Sequence, residues 1–226
     1  MRGPLPRFGD QLVRRNMVAL GKTGKTGGLR GGGRGRLNGG KEHGGTSMGT
    51  IRAQLAHVGI YVRDKAAMVD FYASVLGLVV TDHGTARSGM ELTFMSANPG
   101  NHHQVVLVTG RPDTAGFNPI QQLSFMVGSL AELRAAHLVA LDKGATEMRV
   151  LSHGNAWSCY FKDPEGNVIE TYLDTPFHVP QPHGVALDLA KSDDEILRET
   201  EAACRRDPGF MPIAAYRAAM AERLGM

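Results

Sequence analysis

Glu170 stands in the apolar run 168–173, VIETYL. A carboxylate there would be a buried, unpaired charge unless a metal ion or a cationic group met it. His57 stands likewise inside LAHVGIYV, residues 55–62. A lone imidazole on a strand is either a structural hydrogen-bonding group or a metal ligand. His102 and His103 are adjacent, and His153 precedes Tyr160 by seven residues. Histidine titrates near neutral pH, so His103 and His153 are candidates for proton transfer. A His-His pair on a solvated loop is the plainer reading of the first. Tyr160 can hydrogen-bond a bound molecule or line a wall with a wet hydroxyl. Gln122 offers a neutral carboxamide, which can bind a divalent ion through oxygen or simply hydrogen-bond within a cleft. His83, His137, His178 and His183 read as structural or surface residues. Gly24-Lys25-Thr26 suggests a phosphate loop, but the glycine that the loop needs five residues earlier is Ala19, and no strand precedes it.

These side chains need elements to hold them. The run 55–62 is rich in β-forming residues. Asp64 can cap a helix with Met68, Val69, Phe71, Tyr72, Val75 and Leu76 on one face, and Gly77 ends it. Strands are expected at 78–82, 90–95 and 104–109. The pattern then recurs. A strand at 122–127 is followed by Ser129 and Glu132, a capping-box pair, and by a helix to about Asp142 that Gly144 stops. Strands are expected near 147–151, 157–161 and 168–173. Two βαβββ units about 65 residues apart make an internal repeat. One such unit leaves a sheet face exposed, and a second covers it and leaves a cleft. Asp163 to Asn167 reads as a turn between two strands, from its Pro and Gly. A capping box at Ser192 and Glu195 predicts a helix to about Arg206, and a second helix runs over 213–224. This tail is read as a packing or lid element.

His57-Val58-Gly59-Ile60-Tyr61-Val62 followed by a helix from Asp64 to Gly77-Leu78 resembles the opening of a vicinal-oxygen-chelate unit. His153, Tyr160, Asp163-Pro164-Glu165-Gly166-Asn167 and Glu170 resemble, in order and spacing, the signature of extradiol ring-cleaving dioxygenases in that superfamily. Cys159 departs from it, because an aliphatic residue usually precedes the tyrosine. The resemblance covers residues 53–180. It implies an α+β fold in which the two tandem βαβββ units form a curved mixed sheet around a metal cleft, with a helical C-terminal tail. It also implies metal ligands at His57, Gln122 and Glu170, with His103, His153 and Tyr160 as catalytic groups beside the substrate. In such a fold the metal positions are pseudo-symmetric: His57 and Gln122 are 65 residues apart, and His103 and Glu170 are 67 apart. The implied reaction is extradiol cleavage of a catechol-type aromatic by O2 at Fe(II), with Mn, Zn or Ni as alternatives. Gln122 is the departure. Ring-cleaving enzymes use two histidines and a carboxylate for Fe(II), whereas glyoxalase-like relatives use Gln and Glu. A glyoxalase-like isomerase or lyase and a metal-free protein that binds aromatic compounds are therefore the competing readings.

The chain has 226 residues, 42% hydrophobic and 21% charged, which suits one globular domain with a real core. Residues 1–50 carry ten Lys and Arg against Asp10 and Glu42, and they hold 15 of the 29 glycines. The remaining residues carry 15 basic against 20 acidic side chains. The basic balance thus belongs to the first segment and gives no reason to expect a nucleic-acid partner. Three regions are expected: a disordered Gly/Arg-rich segment 1–50, a folded domain 51–184 with units 51–110 and 119–175, and a helical extension 185–226. Met48 is a plausible alternative start. Cys159 and Cys204 form no disulfide framework, and this fits a reducing cytoplasm. No apolar run is long enough for a membrane helix. The expected partners are a small aromatic substrate, O2 and further copies of the chain in a homo-oligomer.

Overall fold

The computed structural model describes residues 53–226. The first unit is β1 (Val58–Val62), α1 (Lys65–Leu76), β2 (Val79–Thr85), β3 (Glu91–Ser96) and β4 (Val105–Thr109). The second is β5 (Leu123–Met126), α2 (Leu130–Asp142), β6 (Thr146–Ser152), β7 (Ala156–Lys162) and β8 (Val168–Asp174). After them come β9 (Phe177–His178), β10 (Val185–Ala186), α3 (Asp193–Cys204), β11 (Met211–Pro212) and α4 (Ile213–Arg223). The repeated βαβββ pattern is present as expected. The Gly/Arg-rich segment and the alternative start at Met48 lie outside the described residues.

Local chemistry fixes the helix ends. Asp64 accepts from Ala67 N at the start of α1, and Gly77 closes it at φ 66, a left-handed angle that glycine adopts without strain. Ser129 accepts from Glu132 N at the start of α2. The expected box there is modified, because the Glu132 carboxylate takes Gly128 N instead of the cap's own N–H. At α3 both halves of the Ser192–Glu195 box form.

The strands make two principal sheets, in the orders β1-β4-β3-β2 and β10-β6-β7-β8-β5. In each unit the first strand runs parallel to the last, β1 with β4 and β5 with β8, and the other neighbours are antiparallel. The expected mixed β-surface is thus built in two pieces, with β1 and β5 each at an edge of its own sheet. Alternation along the strands then sorts the side chains. Met68, Phe71, Tyr72 and Val75 of α1 are buried in one cluster with Ile60, Val62, Met95, Val105 and Leu107. Leu130, Leu133 and Ala140 of α2 join the same cluster with Leu123, Cys159, Phe161 and Ile169. The alternate residues Ser124, Tyr160 and Glu170 therefore face away from α2.

The turn 163–167 does more than reverse the chain. Tyr72 Oη, on α1, donates to Asp163 Oδ2 at 3.2 Å. Asp163 also accepts from Glu165 N, Asn167 N and Asn167 Nδ2. Glu165 accepts from the backbone N–H groups of Arg63 and Asp64, and Arg111 reaches both Glu165 and Asn167. The second unit's turn is thereby fastened to the first unit.

The tail packs against the second sheet. Trp157 Nε1 donates to Thr200 Oγ1 at 2.8 Å in a buried contact. Ile196 enters the main core, while Phe177, Val179 and Cys204 form a second small cluster with Phe210 against it. The last helix buries no residue fully; Tyr216 stacks on His178 with ring centres 3.8 Å apart. Among the described residues no helix is long and apolar enough to cross a membrane.

Candidate metal and proton-transfer site

Glu170 is only 7% exposed, on the central part of β8. Register places Ser124 of β5 on one side of it and Tyr160 of β7 on the other. The carboxylate accepts from Gln122 Nε2 at 2.6 Å and from Ser124 Oγ at 2.5 Å. Gln122 Nε2 also lies 2.8 Å from Ser124 Oγ. Among the described residues no Lys, Arg or His forms an ion pair with Glu170. A buried carboxylate with only neutral donors is an incomplete electrostatic arrangement, and a cation would complete it.

Tyr160 is buried, and that burial, followed by the neighbouring Glu170, pushes its phenol up to about 12. It remains an O–H at neutral pH. Its oxygen lies 2.9 Å from His153 Nε2, while His153 Nδ1 lies 2.6 Å from the His183 carbonyl. A carbonyl only accepts, so Nδ1 carries the hydrogen and, in the neutral ring, Nε2 presents its lone pair to Tyr160. The tail supplies that carbonyl. Gln181 fixes it by donating from Nε2 to His153 O at 2.8 Å and accepting His183 N at 3.0 Å. Gly154 permits the close approach. A Cβ at its left-handed φ of +74° would stand 2.5 Å from Val179 Cγ2 and 3.1 Å from Cys204 Sγ.

The first unit contributes a histidine group. His57 and His103 have ring centres 4.3 Å apart, and His102 Nδ1 lies 2.9 Å from His103 Nδ1. Phe94 packs edge-on against His102 and His103. The half-buried setting, then the charges of His57 and His102, hold His103 below the ordinary imidazole value.

His57 and Gln122 occupy equivalent places, one residue before β1 and β5, and both line one cavity of about 850 Å³. The expected equivalence of His103 with Glu170 does not follow the strands. Val58 pairs with Val105, and Leu123 with Ile169. The counterpart of Glu170 is then Val106, and His103 precedes β4 altogether. The repeat spacing misled because the segment leading into β4 is not the same length as the one leading into β8. Sequence-predicted residues are thus brought together in three pairs: Gln122 with Glu170, His57 with His103, and His153 with Tyr160. Among the described residues no three or more His, Cys, Asp or Glu side chains gather as a metal group. The donor chemistry of Glu170 fits a divalent cation, with Gln122 beside it and His57 lining the same cavity as Gln122.

Ser124 was absent from the expectations, although it lies two residues after Gln122 and so on the same strand face. Gln181 and the His183 carbonyl carried no signal at all, because a backbone acceptor is invisible in side-chain chemistry. Cys159, the departure noted before Tyr160, points to α2. Its Sγ lies 3.2 Å from His137 Nδ1, and burial raises its thiol to about 12.

The profile of the Glyoxalase/Bleomycin resistance protein/Dioxygenase superfamily matches residues 54–171. The chain belongs to this superfamily. It is 28% identical over 181 residues to biphenyl-2,3-diol 1,2-dioxygenase 3 of Rhodococcus globerulus, covering 76% of this chain and 87% of that protein. Biphenyl-2,3-diol 1,2-dioxygenase 2 of the same organism is 26% identical over 129 residues, 55% of this chain and 65% of that one. Among solved structures, a glyoxylase/bleomycin resistance protein/dioxygenase domain from Frankia sp. EAN1pec is 20% identical. It is matched over its full length and 55% of this chain, with a TM-score of 0.46.

Proposed function

We propose that this protein is a metal-dependent extradiol dioxygenase that cleaves a catechol-type ring with O2. The observation that carries the reading is the linked group of Glu170, Tyr160 and His153 on one sheet face: a buried carboxylate that no basic side chain among the described residues pairs, a protonated phenol and an imidazole of fixed tautomer. The two curated relatives are named as dioxygenases of a diol, which supports the same chemistry here. Glu170, Gln122 and His57 are the residues we assign to hold Fe(II). Gln122 would turn its carboxamide so that oxygen, rather than nitrogen, faces the ion. The metal, when bound, supplies Lewis acidity and a template on which diol and O2 meet.

The chain's own groups handle binding and protons. His103, whose value lies below that of an ordinary imidazole, accepts a proton from a catechol hydroxyl. When substrate is bound, Tyr160 turns its O–H from His153 Nε2 to a substrate oxygen. His153 Nε2 takes or returns a proton on that side, while the Nδ1 bond to the His183 carbonyl keeps the ring from turning. Phe94 offers an apolar edge beside the histidines. The test is direct: purified protein, Fe(II) and a panel of catechols under air, followed by absorbance of ring-fission products. No colour with any catechol, in protein that holds iron, would overturn the reading.

Gln122 favours a second reading, a glyoxalase-like isomerase or lyase. The variant Gln122→His separates the two. Imidazole is the better donor to Fe(II), so iron should be held more tightly, and in a dioxygenase ring cleavage should rise with it. Tighter iron without cleavage supports the glyoxalase-like reading. Unchanged iron affinity in a folded variant would remove Gln122 from the ligand set.

A further inference from the structure

We propose that Arg149 recognises an anionic substituent, a carboxylate, on the aromatic substrate, so that the substrate class is an acidic rather than a neutral catechol. The inference rests on the ring-cleavage reading above and adds the substituent. Register across the second sheet places Ser124 beside Glu170, Glu170 beside Tyr160, and Tyr160 beside Arg149. Register partners share a sheet face, so the arginine continues the polar row that begins at the candidate metal ligands. Strands are spaced about 4.8 Å apart, which puts the Arg149 backbone roughly 10 Å from that of Glu170. That span suits an aromatic ring held at Glu170 with a short side chain reaching outward.

Three further observations set Arg149 apart from an ordinary surface cation. Its guanidinium lies over the Tyr160 ring, 5.2 Å from the centroid, which preorganises the fork beside the phenol. Among the described residues no carboxylate pairs with it, whereas its neighbours Glu147 and Lys162 pair with one another at 2.6 Å. The strand is also bulged immediately before it. The β6–β7 register shifts between Thr146 and Arg149, and Glu147 adopts φ 54, the single non-glycine residue with positive φ among those described. Bulges re-aim the side chains that follow them, and strained backbone of this kind concentrates at ligand sites. Arg149 and Tyr160 border a cavity of about 290 Å³ that Met148 and Val168 also line. A planar guanidinium with free N–H donors matches a carboxylate in two parallel hydrogen bonds, which an ammonium does not reproduce.

The test compares catechol with 3-(2-carboxyethyl)catechol on the full chain loaded with Fe(II), using wild type, Arg149→Met and Arg149→Lys. Methionine keeps an aliphatic cover on Tyr160 and removes the charge. In Arg149→Met the KM for the carboxylated catechol should rise about tenfold or more, with the neutral catechol unchanged and Arg149→Lys intermediate. An equal change for both substrates, or none for either, would overturn the proposal. Calorimetric titration of 3-phenylpropionate, which has no ring to cleave between hydroxyls, tests the subsite apart from turnover. Should wild type cleave neither catechol, the ring-cleavage reading fails, and this titration decides the anion site alone. Binding by wild type that is lost in Arg149→Met supports it; no binding, or equal binding, overturns it.

Discussion

Glu170 concentrates the chemistry of the site in one side chain. It is buried, and its neighbours Gln122 and Ser124 are neutral. An ionised carboxylate in that setting costs folding energy until a cation arrives. Glu170→Gln keeps the shape and removes the charge, so the metal-free variant should be at least as stable as wild type, by on the order of 1 kcal/mol. Adding Fe(II) or Mn(II) should raise the melting temperature of wild type and leave the variant where it was. Equal stabilisation of both proteins by metal, measured by calorimetry, would mean that the ion sits elsewhere. The two cysteines have no such role. Burial raises Cys159 to about 12 and also raises Cys204. The thiolate is the reactive form, so neither should be modified by a thiol reagent in the native protein at neutral pH. Rapid labelling of Cys159 would show that the main core under α2 opens readily, and rapid labelling of Cys204 that the small cluster of the tail does.

The elements explain why some of this could be read in advance and some could not. Helix α1 was legible because an Asp cap, an apolar face and a terminal Gly all pointed the same way. The eight strands of the two units followed from runs of β-forming residues, with ends displaced by up to three residues. The pairing of β1 with β4 could not be read, since parallel partners are chosen by how a unit closes on its helix, not by local sequence. That pairing is what moves Val106, instead of His103, into the place equivalent to Glu170. The tail was legible as helices that pack, but not as the holder of His153. There a turn at 181–183 delivers a carbonyl to the imidazole. Gln181→Ala should therefore lower kcat on the order of tenfold with little change in KM, because it loosens a proton-transfer group that is still present. The ring nitrogen resonances of His153 should then show a mixture of tautomers. A fall in activity with the tautomer unchanged would assign Gln181 to the stability of the turn alone.

At the scale of the whole molecule the two units must be held in register for residues of both to serve one substrate. They share a hydrophobic core, and in addition the turn 163–167 of the second unit grips the first through Tyr72, Arg63, Arg111 and the N-terminus of α1. Asp163 sits at the centre of this tie, and burial raises its carboxyl above the usual value while the bonds from Asn167, Glu165 and Tyr72 pull it back. A raised folded-state value means that this group's contribution is fully present below the unfolded carboxylate value and is lost as pH rises through the folded value. Tyr72→Phe takes away one of the bonds that favour the ionised form. The Asp163 value should rise further, and the fold should lose more stability on going to neutral pH than wild type does. The expected cost at neutral pH is about 1 kcal/mol, or roughly 2–4 °C in melting temperature for a body of this size. Well below the ordinary carboxylate range, where Asp163 is protonated in both folded and unfolded chains, the difference between variant and wild type should shrink. Thermal denaturation of the two proteins at the two pH values decides it. A melting difference that is the same at both would mean that the Tyr72 hydroxyl does not act through the Asp163 charge, and that the units are held together by their shared core without this tie.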